Sequence, residues 1–129
     1  MLVAIAIPIF TTQLEKSRDA TDQANIRSAY AELSAALLTN TTASGVVSDL
    51  ANASFPWANS SPSTTSNAGT YVATIKGQGT NAEWDNGGSY AIGSIAVSTA
   101  KNFTKVEFTV NDAGQITAIA ASTAFHKFV

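Results

Sequence analysis

The chain opens on ten apolar residues, Met1-Leu2-Val3-Ala4-Ile5-Ala6-Ile7-Pro8-Ile9-Phe10, and carries no charged side chain before Glu15. A helix built from this run is apolar on every side, which is stable only when protein or lipid surrounds it. The run is too short to cross a bilayer, which takes about 20 apolar residues. It is also a poor secretory signal, because no basic residues precede it and no small-residue cleavage site follows. Two readings remain. One is a buried core helix of a globular domain; the other is a fragment of a longer apolar helix, cut at its N-terminus.

From Gln13 onward the pattern changes within one turn. Glu15, Lys16, Arg18, Asp19 and Asp22 arrive together, with Glu15/Arg18 and Arg18/Asp22 at spacings that support a solvated helix. Ile26, Tyr30, Leu33 and Leu37 then recur at intervals of four, three and four, with Ala29 and Ala36 filling the same face. This spacing predicts one helix over residues 1–38, interrupted only by Pro8. Residues 13–38 form an amphipathic part that packs Ile26, Tyr30, Leu33 and Leu37 on a head. Residues 1–12 form an apolar assembly or membrane part. At 1.5 Å per residue such a helix is about 57 Å long, longer than a domain of this mass is wide. Its N-terminal part should protrude, and an apolar protrusion suits a polymer better than a monomer.

Residues 39–129 read as the head. The stretch 39–70 is dense in Ser, Thr, Asn and Ala, with Gly45, Pro56, Pro62 and Gly69 as breakers. It is expected to be a loop pinned by Val46, Val47, Leu50, Phe55 and Trp57, with Ser48 or Asp49 capping a short helical turn. Four strands follow, over residues 70–76, 89–97, 103–110 and 115–122. Tyr71, Ala73 and Ile75 share one side, as do Val106, Phe108 and Val110. Gly93 suggests a bulge or close packing, and Asn111-Asp112-Ala113-Gly114 a turn. Residues 77–88 read as a surface loop, and residues 125–129 as a further edge segment. The expected fold class is α+β: a long N-terminal helix packed on an antiparallel sheet of about four strands.

Composition narrows the chemistry. Seven basic and nine acidic residues give a net charge of −2, and only 12% of residues are charged, about half the usual share. A general nucleic-acid binder is excluded on that ground. There are no cysteines and one histidine, His126, which removes disulfides, thiolate metal sites and cysteine nucleophiles and leaves no Ser/His/Asp pattern. Glu83 and Asp85, with Asn81 and Asn86, sit in a Gly-rich loop whose spacing does not match an EF-hand; an ordinary polar loop is the simpler reading, calcium the alternative. Gly77-Gln78-Gly79 precedes no helix pattern, so a phosphate cradle is not supported. No catalysis, cofactor or metal is expected. Trp57, Trp84 and Tyr71 are read as loop anchors, with a platform for a surface glycan as the alternative. The Asn-x-Ser/Thr triplets at Asn40, Asn52, Asn59 and Asn102 carry little weight in so Ser/Thr-rich a chain; O-linked sugar on residues 39–70 is the better expectation.

Ala4-Ile5-Ala6-Ile7-Pro8, then Phe10, then Leu14-Glu15-Lys16-Ser17-Arg18, resemble the second half of the N-terminal helix of the type IV pilins. The resemblance covers about the first forty residues. It implies a pilin-like structural subunit that polymerises through Met1 to Phe10 into a surface filament for adhesion, motility or DNA uptake. Its partners would be other copies of itself, the pilus assembly machinery and, before assembly, the inner membrane. The subunit itself would bind no specific nucleic acid. The basic leader, the prepilin peptidase site ahead of the methylated N-terminus and the near-terminal glutamate of the family are not in this sequence. The resemblance therefore implies an N-terminal truncation or a start placed too late, and a chain incompetent for assembly as it stands. The lack of cysteine is similar to the pilins of Gram-positive bacteria, and nothing resembles the calcium loop of major secretion pseudopilins. The alternatives are a pseudopilin of a type II secretion or competence system and, from another class, a stand-alone carbohydrate-binding module.

Overall fold

The computed structural model describes residues 2–78, 90–98 and 103–122, with backbone alone for residues 2–13 and Glu15. The chain is α+β, a helix packed on a mixed six-stranded sheet. Helix α1 spans Leu2–Thr39 and is helical through Pro8, although proline withholds one N–H from the helical ladder. Helix α2 follows at Ala43–Leu50. The strands are β1 Trp57–Ala58, β2 Gly69–Ala73, β3 Ala91–Ile92, β4 Ile95–Ser98, β5 Lys105–Val110 and β6 Ile116–Ser122. Among the described residues no helix is long and apolar enough to cross a membrane.

The sheet order is β1-β2-β5-β6-β4-β3. Neighbours run antiparallel except β4 and β6, which pair in parallel through Val97/Ile119 and Ser98/Ala120. This corrects the four-stranded antiparallel expectation, and the cause is connectivity. The chain leaves β4, passes over one strand position and forms β5; the β5–β6 hairpin then drops β6 into the gap. Since β5 opposes β4 in direction and β6 reverses β5, β6 runs with β4.

Two further expectations are corrected. Residues 89–97 are not one strand: Gly93, at φ +62°, and Ser94 form a two-residue turn between β3 and β4, with Ile92 opposite Ile95. A positive φ at a hairpin turn favours glycine. In the 39–70 stretch the helix cap is Thr42, whose hydroxyl accepts from the Gly45 N–H at 3.1 Å. Neither Ser48 nor Asp49 fills that role. The backbone carbonyls of Ser66 and Ser63 accept from the N–H groups of Ala43 and Ser44, so the hydroxyl-rich loop is folded onto the start of α2.

The core lies between α1 and one sheet face. Ile26, Ala29 and Leu33 of α1 are fully buried against Tyr71, Val106 and Phe108 of the central strands, and α2 adds Val46 and Leu50. Strand alternation puts Val106, Phe108 and Val110 inward. Each such aliphatic or aromatic side chain contributes roughly 1.5–3 kcal/mol by burial.

Candidate functional site

Helix α1 is the element that organises the head, and it does so through polar anchors as well as its apolar stripe. Near its middle, Asp22 is 1% exposed and accepts the Gln78 N–H with both carboxylate oxygens, at 2.8 and 3.0 Å. Nearly three turns on, Glu32 accepts from the Ser54 N–H at 2.9 Å and from Trp57 Nε1 at 3.0 Å. At the C-terminus Asn67 Nδ2 donates to the carbonyls of Leu37 and Asn40, meeting acceptors that a helix end leaves open. Asn40 Nδ2 also donates to the Ala36 carbonyl and to Asp49 Oδ2.

Glu32 and, beside Asn67, Tyr71 have perturbed titrations. Partial burial pushes the Glu32 carboxyl up, but the donors from Trp57, Ser54 and Phe55 outweigh it and hold the group below its ordinary value. Tyr71 is fully buried and donates its hydroxyl to the Asn67 carbonyl at 2.6 Å; burial raises its pKa.

A groove of about 640 Å³ opens between the end of α1 and two turns of the sheet. Tyr30, Ser34 and Leu38 line it from the helix. Ser94 and Ile95 come from the β3–β4 turn, and Gln115 and Ile116 from the β5–β6 turn. That second turn is set by Asn111, whose Oδ1 accepts from the N–H groups of Ala113 and Gln115, and by Gly114 at φ +77°. Among the described residues no charged side chain lines the groove. Leu38 is 88% exposed beside it. A smaller groove, about 380 Å³, lies between α1 and α2 and includes Glu32 and Asp49. Both of its carboxylates are already engaged within the fold.

Of the residues singled out in the sequence, Ile26 and Leu33 are fully buried, Leu37 is buried and Tyr30 is half-buried on the groove side. Met1 lies outside the described residues, and of Leu2 to Phe10 the backbone is helical. Trp57 is half-buried and packs on Phe108 with ring centroids 5.5 Å apart, while Tyr71 is internal; both are anchors. Trp84, Asn81, Glu83, Asp85, Asn86, Asn102, His126, most of the 77–88 loop and the 125–129 segment lie outside the described residues. Among the described residues no group of three His, Cys, Asp or Glu side chains is placed to hold a metal ion. The Glu15–Asp22 cluster is not wholly solvated, because Asp19 and Asp22 are buried. Asp22, Glu32 and Asn67 escaped the sequence reading as structural residues. A carboxylate beside an apolar helix stripe is the signal that marks Asp22 and Glu32; Asn67, in the loop ahead of β2, has no such signal.

Compared with known proteins, the chain matches no family model, no curated protein and no solved structure.

Proposed function

We propose that this chain is the structural subunit of a type IV pilus-like surface filament. Residues 1–12 of neighbouring copies pack together as the filament core, and the α+β head, with a pilin-like arrangement of helix, loop and sheet, faces outward. The observation that supports this reading is the division of labour along one helix. Over its 38 residues, about 57 Å, the first buried side chain among those described is Asp19. The stretch ahead of Glu15 holds no charge at all. A helix apolar on every side needs protein or lipid around it, and neighbouring copies supply that in a filament.

Before assembly the same segment would sit in the inner membrane, in contact with the assembly machinery, and surface attachment, motility or DNA uptake would be properties of the filament. The test is to place charge in the segment. Ile5→Glu with Ile7→Glu, expressed from the gene's own locus, should remove the chain from sheared surface filaments while leaving the melting temperature of the head unchanged. Normal incorporation of the doubly substituted chain would refute the assignment of residues 1–12.

A further inference from the structure

The groove at the end of α1 collects polar groups that the fold does not use. The hydroxyls of Tyr30, Ser34 and Ser94 make no hydrogen bond with another described residue. Gln115 Oε1 accepts from Asn111 Nδ2 at 3.2 Å, which leaves its own NH₂ group to donate. In the wall, Asn67 is 9% exposed and its Oδ1 has no donor. Flipping that amide offers no remedy, because Nδ2 is committed to the Leu37 and Asn40 carbonyls. A buried acceptor without a partner is uncommon in a folded chain.

The same groove has apolar surface, in exposed Leu38 and half-buried Ile95 and Ile116, and a half-buried aromatic ring in Tyr30. Its volume falls in the range of small-molecule sites. These features select the occupant. A charged ligand would find no counter-ion among the described lining residues. A purely apolar one, including residues 1–10 of a second copy, would strip water from several polar groups and pair none of them. A neutral molecule with many hydroxyls and C–H faces pairs the polar groups and covers the apolar ones.

We propose that this groove binds a neutral saccharide, with Tyr30, Ser34, Ser94 and Gln115 as its hydrogen-bonding residues and Leu38 and Ile116 against the sugar's C–H face. The site belongs to the head and does not rest on the filament reading.

The test is a ¹H–¹⁵N shift titration of the full chain with lactose, with N-acetylglucosamine and with glucuronate as the charged control. At least one neutral sugar should shift the amides of residues 34–38 and 113–117 saturably, and glucuronate should bind about tenfold more weakly or not at all. Tyr30→Phe removes a hydroxyl that bonds no other described residue and should weaken binding about three- to tenfold with melting temperature unchanged; Gln115→Ala, which also gives up the exposed contact from Asn111, should weaken binding similarly with the fold retained. Failure of both neutral sugars to move these amides overturns the proposal, as does equal binding of glucuronate or wild-type affinity in both variants. Shifts of the same amides on simple dilution, without sugar, would make the groove a contact between copies and overturn it equally.

Discussion

Glu32, on the helix, holds Trp57, on the edge strand, through a 3.0 Å hydrogen bond from the indole Nε1, and the other oxygen of the same carboxylate takes the Ser54 N–H. One side chain thereby ties the middle of the segment that leads from α2 into the sheet to the strand residue at its end. Trp57 in turn lies against Phe108 at the centre of the core, so the polar contact and the apolar one position the same ring.

Replacing Glu32 by Gln should cost about 1 kcal/mol at neutral pH, the loss of charge-assisted hydrogen bonds at a half-exposed site. The pH dependence has a definite sign. Because the folded state lowers the Glu32 pKa, its contribution is complete above the ordinary carboxyl value of 4.5 and is lost as pH falls through the lower folded value. Melting temperatures measured from pH 7 down to pH 3 should therefore fall less steeply in Glu32→Gln than in wild type. Parallel curves would contradict the clamp.

Tyr71→Phe leaves the Asn67 carbonyl without its 2.6 Å donor and should cost about 1 kcal/mol in urea denaturation. Here the shift is upward, so the tyrosine's contribution is complete below 10.0 and disappears as pH rises through the raised folded value. Wild type should lose stability on the alkaline side of pH 10 through this group. The phenylalanine variant, having no proton to lose there, should lack that component.

Gly77 is held by need for space rather than by backbone conformation. A Cβ at this position would lie 2.6 Å from Phe103 Cδ2. The ring cannot retreat easily, being 1% exposed, and its own carbonyl accepts the Gly77 N–H at 2.7 Å. Gly77→Ala should destabilise by about 1–3 kcal/mol with an unchanged denaturant slope. Adding Phe103→Leu should recover part of that loss. An additive loss in the double variant would show that the contact is not what excludes a side chain.

Much of the fold was legible where it depends on local period. The spacing of Ile26, Leu33 and Leu37 exposes the helix face, the alternation of Val106, Phe108 and Val110 exposes β5, and Asn111 to Gly114 announces the β5–β6 turn. What was not legible depends on partners distant in the chain. Asp22 meets a backbone amide 56 residues away, and Glu32 meets donors 22 and 25 residues away; backbone donors carry no sequence signature. In the run of charges from Glu15 to Asp22, helix pairing suggested solvation, yet Asp19 and Asp22 face inward. The parallel β4–β6 pair arises from the order in which strands fill the sheet, which strand patterns do not encode. The groove escaped for the same reason, since Tyr30, Ser94 and Gln115 are brought together only when two turns close over the end of α1.

The proposal that the apolar start of α1 joins this chain to its copies is tested most directly in the native host. Surface filaments sheared from cells carrying the unaltered gene are analysed by mass spectrometry beside the membrane and soluble fractions. The filament account predicts peptides of this head, such as those covering β5 and β6, enriched in the sheared filaments. Abundant protein in the cells with none in the filaments would contradict it.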